Sequence, residues 1–131
     1  MTQTENTQDT RQSGLLTPEQ KARMLANGRA AAEAIAEDGE TPGVWPVVKL
    51  FAPWGAATWL LSELDPEDED IAFGLCDLGF GSPELGSVRM SELESVRGPG
   101  GLAIERDLHF RPSKPLAAYA AEAHRFGRIR A

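Results

Sequence analysis

Residues 1–14 carry almost no hydrophobe, and apolar periodicity begins only at Leu15-Leu16. The first stretch cannot offset its own ordering entropy, so residues 1–14 are expected to be a disordered tail. Thr17-Pro18-Glu19-Gln20 has the form of a capping box with proline at the first helical position. It predicts a helix running to about Glu37, with Leu16 as a hydrophobic staple. Leu25, Gly28, Ala32 and Ile35 recur at spacings of three and four and mark a narrow inward stripe. Gly28 either kinks this helix or lets another backbone come close. Gly39 and Thr41-Pro42-Gly43 supply its stop signal.

From Trp45 the period changes. Val47–Phe51 is β-rich and apolar, Pro53-Trp54-Gly55 reads as a turn, and Ala57–Leu64 follows as a second strand. Strict alternation puts Leu60, Ser62 and Leu64 on one face and Trp59, Leu61 and Glu63 on the other. Asp65-Pro66-Glu67-Asp68 turns the chain into Ile71–Leu78. There Ile71, Phe73 and Leu75 oppose the smaller Ala72, Gly74 and Cys76, the side on which a helix can pack closely. Leu85–Met90 is a weaker strand and Ser91–Glu94 a short helical turn. Leu102, Ile104, Arg106, Leu108 and Phe110 alternate with polar residues as a last strand. A closing helix follows, opened near Ser113, with Leu116, Tyr119, Ala123 and Phe126 inward and Gly127 as its C′ residue. The pattern predicts an α+β fold: a mainly antiparallel sheet of about five strands, with an N-terminal and a C-terminal helix packed on it. Residues 15–131 are expected to form one domain.

Composition adds one strong feature. The 131 residues carry a net charge of −7, and its distribution is uneven. Between Glu63 and Glu94 there are ten carboxylates and one cation, Arg89, a local charge of −9. Residues 95–131 are net positive. The central field repels phosphate backbones and attracts cationic proteins, so direct nucleic-acid binding is not expected. Cys76 is the only cysteine, which excludes an internal disulfide and fits a reducing compartment. No apolar run approaches the roughly 20 residues of a membrane span, and Met1–Ser13 lacks the apolar core of a signal peptide. The expected location is the cytoplasm.

Three runs in order carry a family likeness: Trp45-Pro46-Val47-Val48-Lys49-Leu50-Phe51, Ala57–Pro66, and Ile71–Gly79. Pro83-Glu84-Leu85-Gly86, Glu92-Leu93-Glu94 and Ile104-Glu105-Arg106-Asp107 follow. Over Leu15–Phe126 the chain resembles the bacterial domain-of-unknown-function family 2958. Its members are similar in being carried on plasmids and on conjugative or phage-related elements, near antirestriction and DNA-processing genes. The resemblance implies an accessory role in mobile-element biology and no catalytic residue.

The leading candidate site is therefore a partner-binding surface of Glu63, Asp65, Glu67, Asp68, Glu69, Asp70, Asp77 and Glu84. It is suited to a basic, nucleic-acid-binding protein, in the manner of an antirestriction or anti-CRISPR-like inhibitor or a DNA mimic. Phosphates recur about 7 Å apart along a strand, close to the spacing of alternate residues on one sheet face. The simpler reading of the Asp65–Asp70 turn is a solvated loop. It lacks the central glycine and the bidentate acid of a calcium-binding loop. Glu105, Asp107 and His109 share one strand face and form a ligand-type set, the basis of an alternative reading as a metal-dependent hydrolase or nuclease. Consecutive members would lie roughly 6–7 Å apart, too far for one ion without bending, so a polar outer face is the simpler account. Cys76 has no base or cation beside it in sequence and reads as core. Gly79-Phe80-Gly81-Ser82-Pro83-Glu84 breaks the dinucleotide fingerprint at its third glycine, and Arg97-Gly98-Pro99-Gly100-Gly101 lacks a phosphate-loop lysine. Trp45, Trp54 and Trp59 with Lys49 and Arg97 have the composition of a base-stacking surface, opposed by the acid around them. No catalytic residue, cofactor or metal is expected.

Overall fold

Helix α1 (Pro18–Glu37) starts as its capping box requires. The Thr17 amide donates to Gln20 Oε1 and the Gln20 amide to Thr17 Oγ1, both at 3.0 Å. The structure, a computed structural model, describes residues 14–37 and 43–131. The expected tail, apart from Gly14, and the stop signal at Gly39–Pro42 lie outside the described residues. After α1 come β1 (Val48–Phe51), β2 (Thr58–Asp65), β3 (Asp68–Asp77), β4 (Glu84–Arg89), α2 (Met90–Ser95), β5 (Glu105–Arg106) and α3 (Leu116–Phe126). The strands form one antiparallel sheet in the order β4-β3-β2-β1-β5. The α+β fold expected from the pattern is the one observed.

The sheet divides the apolar residues into two clusters, one per face. Met24 of α1 and Met90 and Leu93 of α2 pack with Val48, Leu50, Trp59, Leu61, Leu64 and Ala72. On the other face Leu116, Tyr119 and Ala123 of α3, with Ile129 beyond it, pack on Leu60 and Leu75. The small side of β3 thus faces the cluster that holds α1 and α2, and its large side faces α3; the closest approach to the small side is not a helix but the β2 backbone, since a β-carbon on Gly74 would collide with the Leu60 carbonyl oxygen. Gly127 ends α3 at φ 74°, in the left-handed region that glycine enters without strain.

Four local expectations are corrected. β2 does not alternate throughout. Leu61 pairs with Gly74 and Glu63 with Phe73, so Ser62 is an extra residue, a β-bulge. The bulge reverses the phase: Leu64 joins Trp59 and Leu61 in the α1-side core, and Glu63 turns to the α3 side with Phe73. On α1, Met24 and Gly28 are buried, whereas Ala32 is exposed and Ile35 is 60% exposed. The helix is rolled away from the predicted stripe, with Met24 in the core and Asn27 Nδ2 donating to the Ser62 carbonyl at 2.8 Å. Gly28 meanwhile lies against the Leu64 carbonyl without a kink, where a β-carbon would collide with that oxygen. The last strand is short: β5 has two residues, and Leu108 is 70% exposed. Asp107 Oδ1 accepts from the His109 amide at 2.8 Å, an Asx turn that ends the strand before the alternation runs out. Ser113 does not cap α3; its amide donates to the Tyr119 hydroxyl at 2.9 Å.

Candidate functional site

The acidic residues nominated from sequence fall into separate places. The β2–β3 hairpin gathers Asp65, Glu67, Asp68, Glu69 and Asp70 at one end of the sheet. Pro66 and Glu67 form its two-residue turn, held by the Glu67 amide donating to Asp65 Oδ1 at 2.9 Å. Among the described residues two cations reach this tip. Arg89 lies 3.3 Å from Asp68 and 3.5 Å from Asp70, and Lys21 lies 3.7 Å from Glu69. Five carboxylates against two cations leave the tip at −3. Asp70 also has an internal task. It accepts from the Ser91 hydroxyl at 2.7 Å and the Ser91 amide at 2.9 Å, capping α2 from across the sheet. Those hydrogen bonds, with Arg89, hold its carboxyl below the usual range. Glu94 on α2 is pushed up by burial and by the negative Asp70 nearby.

Asp77 and Glu84 are not part of this tip. Asp68 and Asp77 lie opposite Asp65 and Thr58, the two ends of β2, and are separated by roughly 20 Å or more. Glu84 is exposed opposite Cys76 at that far end. Asp77 is only 3% exposed. Its two oxygens accept from the Gly79 amide at 2.8 Å and the Ile129 amide at 3.0 Å, tying the segment after α3 to the sheet. The continuous carboxylate face expected from sequence is therefore a compact tip plus three residues elsewhere, Glu63, Asp77 and Glu84. One of those three, Asp77, is a structural hydrogen-bond acceptor.

Glu105, Asp107 and His109 do not converge either. Asp107 pairs with Lys49 at 3.4 Å and holds its Asx turn, while Glu105 is exposed on β5. Among the described residues no group of three His, Cys, Asp or Glu side chains is placed to hold a metal ion. Cys76 is half-buried beside the α1-side core, and burial pushes its thiol up to about 11.

Glu63 sits apart from its neighbours in sequence. The bulge at Ser62 puts it in a row with Phe73 of β3 and Ser87 of β4 across the α3 side of the sheet. The adjoining row, Leu60 and Leu75, is covered by α3. The Glu63 row is instead the floor of an open groove of about 1260 Å³. α1 forms one wall from Gln20 to Ile35; Val44, Trp45, Phe110 and Arg111 form the rest. Trp45 is 46% exposed there, whereas Trp59 is core and Trp54 lies half-buried against Gly98. Among the described residues no cation pairs with Glu63. Burial alone pushes its carboxyl above the usual value. The tip and groove adjoin, because Asp65 and Pro66 line both.

Most of this region matches a single family model, from residue 15 to residue 130. The chain belongs to the DUF2958 family, described as a protein of unknown function. No curated protein and no solved structure matches the chain. The family identification agrees with the resemblance carried by Trp45–Phe51, Ala57–Pro66 and Ile71–Gly79, and it assigns no role to any residue. The groove was not foreseen from the residues, because its key carboxylate depends on the bulge. The residues carry no separate signal for it, since Leu60, Ser62 and Leu64 keep to period two across the bulge. No helix among the described residues is long and apolar enough to cross a membrane.

Proposed function

We propose that this protein is a non-enzymatic accessory protein that acts by binding a basic protein partner through the carboxylate-rich tip of its β2–β3 hairpin. The observation that carries this reading is the imbalance at the tip, where five carboxylates meet two cations and Asp65, Glu67 and Glu69 are exposed. A surface of this kind speeds encounter with a cationic partner and selects against anionic ones. A nucleic-acid-binding protein is the natural target, since its own site is built to receive dense negative charge. The accessory role in a bacterial plasmid, phage or conjugative element that the family resemblance implies, including inhibition of a host defence enzyme, is consistent with such a target. The tip presents a short anionic cluster and not an extended phosphate-like ladder, because Asp77 is buried and Glu84 lies at the far end of β3.

The test is affinity capture from bacterial lysate at roughly 50 mM and 500 mM salt, with the wild type and an Asp65→Asn/Glu67→Gln/Glu69→Gln variant. The expected result is a basic protein retained by the wild type at low salt and lost both at high salt and in the variant. A partner held equally by the variant at high salt would overturn the proposal.

A further inference from the structure

Five charged side chains line the groove beside the tip, Glu19, Arg23, Glu63, Asp65 and Arg111, a net charge of −1, and among the described residues none of them is held in an ion pair. Glu19 and Arg23 lie one turn apart on the outer side of α1, and Asp65 and Arg111 add one charge of each sign at the rim. What remains is Glu63, on the floor, next to Phe73. A carboxylate in partly apolar surroundings gains most from a cation that arrives with its own apolar stem. The walls suit such a stem: Trp45 offers an exposed ring, and Ile71 and Phe110 offer apolar surface. At about 1260 Å³ the groove exceeds the roughly 300–1,000 Å³ of small-molecule pockets and has the scale of a polypeptide segment. It also runs into the tip through Asp65 and Pro66, so one basic segment can reach both.

From this we infer that the groove seats a lysine or arginine side chain of the partner's basic segment, its stem against Trp45 and Phe110 and its cation on the Glu63 carboxylate. The inference rests on the reading of the acidic tip as a partner-binding surface, and it names Glu63 as the anchor that fixes where the segment lies. The bulge at Ser62 is what makes this possible, since regular alternation would bury Glu63 under α1. Bulges commonly re-aim a side chain beside a functional site in this way.

The test is a titration of the full chain with a hexalysine peptide, followed by amide and indole signals in nuclear magnetic resonance. Wild type, Glu63→Gln, Glu63→Asp and the tip variant above are compared. The wild type is expected to show shifts at the Trp45 indole and the Phe73 and Ser87 amides as well as at Asp65–Asp70. Glu63→Gln should lose the groove shifts, keep the tip shifts, and bind at least about ten-fold more weakly. Glu63→Asp, which keeps the charge, should retain the groove shifts. Shifts at the tip alone would overturn the groove inference and leave the acidic-tip reading standing. Shifts in the groove alone would do the reverse, and no shift anywhere would remove both. Groove signals that move with protein concentration in the absence of peptide would identify a second copy of the chain as the occupant and overturn the inference.

Discussion

Gly28→Ala measures how closely α1 is held on the bulged strand. In an isolated helix the change would stabilise by about 1 kcal/mol, since alanine is the better helix former. Here the new β-carbon would collide with the Leu64 carbonyl oxygen and sit 3.4 Å from Pro66 Cδ. The nearest atom is backbone in a central strand, so neither side yields without moving a whole element. Forcing extra volume into a packed contact costs about 1–3 kcal/mol or more. Displacing α1 also lengthens the 2.8 Å hydrogen bond from Asn27 to the Ser62 carbonyl, worth about 1 kcal/mol. After the propensity gain is subtracted, the expected loss is about 1–3 kcal/mol. For a chain of this size that lowers the melting temperature by roughly 4–10 °C. Urea unfolding and calorimetry on wild type and variant would measure it. Gly86→Ala is the control, because its β-carbon meets nothing within 4 Å and should change stability little. A Gly28→Ala protein as stable as the wild type, or more so, would refute the close contact between α1 and β2.

Further outcomes follow from individual contacts. Asp77→Ala leaves the Gly79 and Ile129 amides without their acceptor and should lower stability by about 3 kcal/mol in denaturant titration. The Cys76 thiol, pushed up to about 11, should react with a thiol reagent at pH 8 far more slowly than a free cysteine, and only unfolding should release it. Asp70 has a folded pKa below its ordinary 3.8, so its contribution is present above that value and lost as pH falls through the folded one. The stability gap between wild type and Asp70→Asn should therefore be constant at neutral pH and close below about pH 4. Glu63 behaves oppositely. Its folded pKa is above 4.5, so ionisation weakens the fold as pH rises, and Glu63→Gln should be the more stable protein at pH 7, with the gap closing toward pH 4.5.

What could be read from the residues was what short-range chemistry decides. Thr17 and Gln20 cap α1 through atoms three residues apart, and Gly127 ends α3 through its own backbone freedom. The hairpins and the small face of β3 were visible because alternation there is regular. The phase of β2 beyond Leu61 was not visible, because the bulge is sustained by Asn27, 35 residues away. The face of α1 that carries Asn27 is turned to that strand, and Ile35 is left exposed. The last strand was overextended because alternation does not reveal that Asp107 prefers to bind its own backbone. The carboxylates were countable in the chain, but their separation depends on the length of β3 and on the Ile129 amide that claims Asp77.

The inserted residue at Ser62 works like a shift of reading frame within a strand. Flattening the bulge with Ser62 kept in the strand would restore strict alternation and exchange the orientations of Glu63 and Leu64, sending an anion beneath α1 and a leucine into the open channel, whereas deleting Ser62 would leave both facing as they do. Neither half of that exchange is tolerable, so as long as one residue separates Leu61 from Glu63 the backbone there has to stay irregular.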